Sequence, residues 1–239
     1  AVEVDQSLRA QRGDAYDLEI SIDETTTPTL PEHHLFIARE LQVREVAVNS
    51  VAPRFIGDFQ KAVDYIGDLP EFERQFLIHC EIARAFGNYK ISVHSGSDKF
   101  SAYPAVGRGT DLRLHLKTSG TSWLESLRVI AEKEPALYRK LHRRALDYYP
   151  EALKYYHITA DLDRIKPLDE QRDEELPTYL DHPDCRQMLH ITYGGILSTQ
   201  GLADEFFAAL HIHEERYNEL LYNHFEHHFT ALGLPPRGE

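Results

Sequence analysis

Residues 90–99 read Lys90-Ile-Ser-Val-His94-Ser-Gly-Ser-Asp98-Lys99. The first five alternate polar and apolar, as a strand with one buried face does. Ser-Gly-Ser then breaks the run into a turn. His94 is therefore expected at the C-terminal end of a strand, with Ser95, Asp98 and Lys99 on the loop beyond it. Barrels and open α/β sheets carry their chemistry at that end.

Five further runs alternate in the same way: Leu18 to Asp23, Val46 to Val51, Leu112 to Lys117, His157 to Asp161 and Leu189 to Tyr193. Val2 to Val4 is a weaker strand candidate. Helical segments separate most of these runs. Pro31 to Leu41 follows a Thr/Pro loop, and Glu71 to Phe86 places Phe72, Phe76, Cys80 and Ala83 at helical spacing before Gly87. Ser122-Trp-Leu-Glu125 reads as a capping box, Pro135 as the start of a second helix, and Leu202 to Leu232 as a bent or broken terminal helical region. The acid-rich stretch Asp161 to Asp184 lacks a long apolar period and reads as a loop with a short helix. Strands alternating with helices imply βαβ units and a mainly parallel sheet in a single domain.

Parity sharpens the fold class. One side of every run is apolar, as in Ile91 and Val93 or Leu112, Leu114 and Leu116. The other side is polar, as in Ser92 and His94, Arg113, His115 and Lys117, or Ser21 and Asp23. An open doubly wound sheet is covered on both faces and its strands are apolar on both. A (β/α)8 TIM-barrel-like fold, with helices outside and a polar site within, fits better. The competing architecture is an antiparallel sheet with one solvated face. Six strands fall short of eight, so the chain is expected to hold only part of a barrel, as a fragment of a longer protein.

The chain has 239 residues, 39 acids against 26 Lys plus Arg, and a formal net charge of −13. This excludes the basic footprint of a duplex nucleic-acid binder. No apolar run approaches the roughly 20 residues of a membrane span, and no signal peptide is visible. Cys80 and Cys185 fit no metal-knuckle spacing; Cys80, inside an apolar helical pattern, is expected to be a buried thiol, and a reducing, cytoplasmic compartment is expected.

Residues at or near strand ends form the candidate site: Asp23, Glu24, Asn49, Arg54, His94, Asp98, Lys99, His115, Lys117, Asp161 and His190. Convergent imidazoles and carboxylates suit a divalent metal such as zinc, manganese or nickel. His94, His190 and Asp23 are the expected ligands. Glu24 is the expected proton-transfer group, or a cap of the next element. Asp98 and Lys99 would assist it. Lys117 would hold a substrate oxygen or, as an alternative, form a Schiff base. Asn49, Ser95 and His115 are expected to contact substrate. Arg54 would clamp a carboxylate or phosphate or form a surface ion pair. The histidines of Asn223-His224-Phe-Glu-His227-His228 have helical spacing but read as the polar face of the terminal helix. Gly194-Gly195 is a weak phosphate-cradle signal.

The runs Ile22-Asp-Glu-Thr, Ala52-Pro-Arg-Phe, Asp64-Tyr-Ile-Gly-Asp68, His94-Ser-Gly-Ser-Asp-Lys-Phe100, Lys117-Thr-Ser-Gly120 and Leu189-His-Ile-Thr192 resemble the tagaturonate epimerase family, from about Leu18 to about Leu234. The resemblance implies a metal-dependent sugar-acid epimerase that interconverts D-tagaturonate and D-fructuronate, or related ketoses. It also implies that the chain corresponds to the C-terminal half of a longer protein. The partners expected are a sugar-acid substrate and, across open strand edges, the missing N-terminal half or a second copy. A non-catalytic sugar-binding or regulatory module is the alternative.

Overall fold

The computed structural model describes residues 1–235, which group into two compact units. The first comprises residues 1–59, 65–117 and the chain from His228 onward; the second comprises residues 60–64 and 118–227.

The first unit contains a four-stranded sheet. Its strands are β1 (Glu19–Ser21), β2 (Ser50–Ala52), β3 (Lys90–Val93) and β4 (Leu114–Leu116), all parallel and in the order β1-β2-β3-β4. Helix α1 (Val2–Arg12) precedes the sheet, and α2 (Pro31–Val43), α3 (Leu69–Ala85) and α4 (Tyr103–Thr110) make the crossovers. The alternation of strand and helix foretold this α/β layout.

Register explains the two faces. Ile20 pairs with Val51, Val51 with Ile91, and Ile91 with Leu114, so these four stand in one row. With Phe72, Phe76, Tyr103 and Val106 from α3 and α4 they form the core of this unit. Burying each phenylalanine there contributes about 1.5–3 kcal/mol. Rows facing the other way are polar. Glu19 stands beside Ser50, and Ser92 beside His115. Two residues past Ser21, Ala52, Ser92 and His115 come Asp23, Arg54, His94 and Lys117, at the C-terminal edge of the sheet.

Helix α3 starts where Asp68 accepts the Glu71 backbone N–H at 3.0 Å, an N-cap. It carries a buried polar chain beneath its aromatic stripe. His79 Nδ1 meets His34 Nδ1 of α2 at 2.9 Å, and His34 Nε2 meets the Tyr89 hydroxyl at 2.7 Å. Helix α4 is fixed by a close approach. A Cβ on Gly107 would lie 1.8 Å from the Leu232 carbonyl oxygen, so only glycine lets the last turn of the terminal helix seat there.

The second unit is helical: α5 (Ser119–Lys133), α6 (Pro135–Ala152), three 3-10 turns between Leu162 and Leu180, α7 (Pro183–Ile191), α8 (Tyr193–Leu197), α9 (Leu202–Ile212) and α10 (Glu214–Leu232). The last turns of α10 belong to the first unit. Leu124, Leu127, Ile130, Tyr138, Leu141, Leu176, Met188 and Leu189 pack the core of the second unit. The break of the terminal region at His213 and the start of α6 at Pro135 follow the sequence reading. Helix α5 begins three residues before the Ser122 box.

Two expected strands are absent. Leu189 to Tyr193 is the end of α7 and the start of α8. Pro183 at the first helical position and buried Cys185, Met188, Leu189 and Thr192, at helical spacing, override a five-residue alternation that periodicity alone cannot assign. His157 to Asp161 forms no regular element. Its donors go to side chains: Thr159 N–H and Oγ1 to Gln60 Oε1 at 3.0 and 2.9 Å, and Asp161 N–H to Asp184 Oδ1 at 3.1 Å. Val2 to Val4 is the first turn of α1, where Asp5 accepts from Arg9 at 2.9 Å one turn later. The strand predicted from Val46 starts only at Ser50, and the Val46 N–H donates instead to the Leu41 carbonyl at 3.0 Å in the turn that leaves α2. Among the described residues the sheet therefore has four strands, and no helix is long and apolar enough to cross a membrane.

Candidate functional site

His94 follows the last residue of β3, and its side chain is 9% exposed. Its Nε2 lies 2.6 Å from Glu19 Oε1, and its Nδ1 lies 3.0 Å from Asp23 Oδ2. Glu19 Oε2 meets His115 Nδ1 at 2.9 Å and accepts from Ser50 Oγ at 2.5 Å. Ser92 Oγ is 3.0 Å from the same His115 nitrogen. Burial pushes the Glu19 carboxyl up. Hydrogen bonds from Ser50, His115, His94 and Ser92 outweigh that and hold it down at about 2. One ionised carboxylate thus ties all four strands together on the polar face.

The loop after His94 is tightly wound. Ser95 and Asp98 take φ 49° and 59°, a left-handed conformation costly for residues other than glycine. Gly96 sits where a Cβ would be 2.5 Å from Leu116 and 2.8 Å from the Val93 carbonyl. Its N–H donates to the Lys117 carbonyl at 3.0 Å, binding the loop to the residue after β4. Lys99 is fully buried, and its Nζ donates to the Ser97 carbonyl at 2.8 Å.

Asp98 meets the terminal helix. Its N–H donates to His228 Nε2 at 3.2 Å, and its Oδ1 is 3.9 Å from that nitrogen. His228 is 1% exposed, with its ring between Phe100 and Tyr103 at 4.9 and 5.5 Å. The reading of His228 as part of a solvated face is corrected here: its side of α10 is the buried one. His224 lies one turn earlier on the same helix. Within the second unit, His224 Nε2 meets Thr121 Oγ1 at 2.7 Å. The imidazole of His228 and the carboxylate of Asp98, in contact within the first unit, are donors that suit a borderline divalent ion. The only sequence signal for them was the four-residue histidine spacing.

The other sequence-predicted residues are placed as follows. Asp23, His94 and His115 come together, through Glu19. Both nitrogens of His94 face carboxylates, so a metal there would have to displace one of them. Glu24 is exposed on the turn after β1. Arg54 donates to the Thr25 carbonyl, which fastens the loop after β1. Lys117 is exposed at the edge of the sheet. Asn49 lies at the opposite, N-terminal edge, where it accepts the Leu18 N–H at 2.8 Å and donates to Asp17 at 2.6 Å. His190 is on α7 in the second unit, its ring over Gly120, where a Cβ would lie 2.0 Å from Nε2. Glu19 was legible only as one polar residue among several on the strand's outer parity, and Asp98–His228 joins positions 130 residues apart.

A parallel sheet whose polar face carries carboxylates, imidazoles and hydroxyls in mutual contact can hold and transfer protons on a small polar molecule. The chain belongs to the tagaturonate epimerase family, whose model matches residues 1–232. It is 44% identical over 217 residues, 91% of its length, to the tagaturonate/fructuronate epimerase of Thermotoga maritima. Two crystal structures of fructuronate-tagaturonate epimerase from Cohnella laeviribosi are similar to it. The form with two glycerols has a TM-score of 0.93, 46% identity and 98% of this chain covered. The native form has 0.92, 47% and 97%. The chain spans about half the length of these relatives: 45% of the first and 50% and 49% of the two structures.

Proposed function

We propose that this chain supplies part of a metal-dependent enzyme that interconverts D-tagaturonate and D-fructuronate. Identity of 44–47% to proteins named for that reaction carries the reading. We infer further that the four sequential parallel strands are part of a (β/α)8 barrel. The remaining strands would come from sequence beyond this chain, and the polar face would line the barrel. Two buried thiols are consistent with a reducing, cytoplasmic location.

A divalent ion would be held by Asp98 and His228; when bound, it supplies Lewis-acid polarisation of a substrate oxygen. Other steps fall to side chains. Lys117 and Arg54, at the sheet edge, offer cations to the substrate carboxylate or to a developing oxyanion. Glu24 and the Glu19–His94–Asp23–His115 cluster offer proton donors and acceptors at the same edge. If the inverted carbon neighbours the ketone, one base removes its proton and an acid returns one to the other face. If it lies further away, cleavage and re-formation of a carbon–carbon bond achieves the same inversion.

The test is incubation of the full-length, metal-supplemented protein with tagaturonate in deuterated water, followed by NMR. Fructuronate should form. Deuterium at the inverted carbon supports proton transfer, and trapping of carbonyl fragments supports cleavage. No turnover in either direction would remove the assignment.

A further inference from the structure

Three groups converge on one carboxylate, and an ionised carboxylate can only accept hydrogen bonds. Ser50 Oγ, His94 Nε2 and His115 Nδ1 must therefore each turn a proton toward Glu19, while Ser92 Oγ lies 3.0 Å from the same His115 nitrogen. That requirement settles two rings. His115 carries its proton on Nδ1, so its lone pair is on Nε2. His115 stands on the edge strand β4 with 48% of its side chain exposed, on the polar side of the sheet. In His94 the nitrogen left over, Nδ1, is 3.0 Å from Asp23 Oδ2.

We propose that Glu19 is a positioning residue that orients both histidines, turning His115 Nδ1–H inward so that a basic Nε2 stands on the open polar face, and holding the His94 ring by its Nε2–H beside Asp23. The proposal rests on the epimerase reading, which needs one group to take a proton and another to supply one. A single carboxylate that orients both rings makes their geometry interdependent. It also keeps the two rings from exchanging roles, because neither can turn its other nitrogen inward without losing a charge-assisted hydrogen bond. Glu19 acts through the rings; it need not touch substrate.

Two measurements test this on the full-length protein. Long-range proton–nitrogen correlation with 15N-histidine reads the tautomer of His115, assigned through the loss of its signal in His115→Gln. We expect Nδ1–H in the wild type and a shift toward Nε2–H, or a mixture, in Glu19→Gln, whose amide no longer demands a proton from each neighbour. For that variant kcat is expected to fall by about 10²–10⁴-fold with KM little changed, the signature of a misoriented imidazole. A wild-type His115 protonated on Nε2 would overturn the proposal, and so would Glu19→Gln with wild-type kcat. If Glu19→Gln does not fold, the wild-type tautomer alone decides. A wild-type protein that fails to interconvert the two sugar acids would overturn the activity reading, while the tautomer measurement would still judge the role of Glu19.

Discussion

Replacing His34 by Gln should make the protein markedly less sensitive to mild acid. His34 and His79 are both essentially inaccessible to solvent and in contact with each other. Burial, with a smaller push from the charge of His79, lowers His34 to about 3. Burial lowers His79 to about 4, against the opposing pull of the Thr29 carbonyl and Glu32. The unfolded chain titrates near the ordinary value of about 6.5. Above that pH neither state binds the proton and stability is fully present. As pH falls below it, the unfolded chain takes up protons that the native state refuses, and stability drops until the folded values near 3 to 4 are reached. The slope is about 1.4 kcal/mol per pH unit per histidine, so each costs about 2 kcal/mol between pH 7 and pH 5.

Gln keeps a donor and an acceptor for His79 and Tyr89 but cannot charge. Urea denaturation at pH 7 and at pH 5, followed by circular dichroism, compares the two proteins. The variant should lose about 2 kcal/mol less than the wild type between those pH values, whatever its absolute cost at pH 7. An equal loss in both would refute the reasoning, because it would mean that His34 is protonated alike in the folded and unfolded chains.

Gly107→Ala, which drives a Cβ into the Leu232 carbonyl, should cost about 1–3 kcal/mol or more in thermal or urea melts. Gly194→Ala, in α8 with nothing within 4 Å of its Cβ, should be neutral or stabilise by about 0.5–1 kcal/mol. His228→Gln should lower bound metal per chain, measured by elemental analysis after dialysis against zinc or manganese, whereas His227→Gln should not. Burial raises both thiols, Cys80 to about 12 and Cys185 further. Alkylation by iodoacetamide at pH 8 should therefore be slow in the native protein and fast in urea, as mass spectrometry would record.

Local pattern alone determined a good deal. Lys90 to His94 had to be a strand because its alternation is uninterrupted and Ser-Gly-Ser stops it. Phe72, Phe76, Cys80 and Ala83 had to share a helix face because 3.6 residues per turn leaves them no other arrangement. The polar rows ending in Asp23, His94 and Lys117 follow from parity along each strand. Alternation failed where it was short. Leu189 to Tyr193 satisfies a strand period and a helix period over five residues, and Pro183 with the buried Cys185 and Met188 selects the helix.

Only the tertiary structure decided which polar residues meet. Glu19 is one of several acids near a strand start, and nothing local says that register brings His94 and His115 to its two oxygens. His228 looks like the solvated side of an amphipathic helix until Phe100, Tyr103 and the Asp98 loop close over it. Asn49 has the right residue type, but β2 starts at Ser50 with Ser50 and Ala52 on the polar side, so Asn49 falls at the other end of the sheet and shares the parity of the buried Val51. The physical reason is common to all three. Periodicity is a short-range property of the chain, whereas a site is made by pairing between segments 30 to 130 residues apart, and that pairing is chosen by the packing of the whole unit.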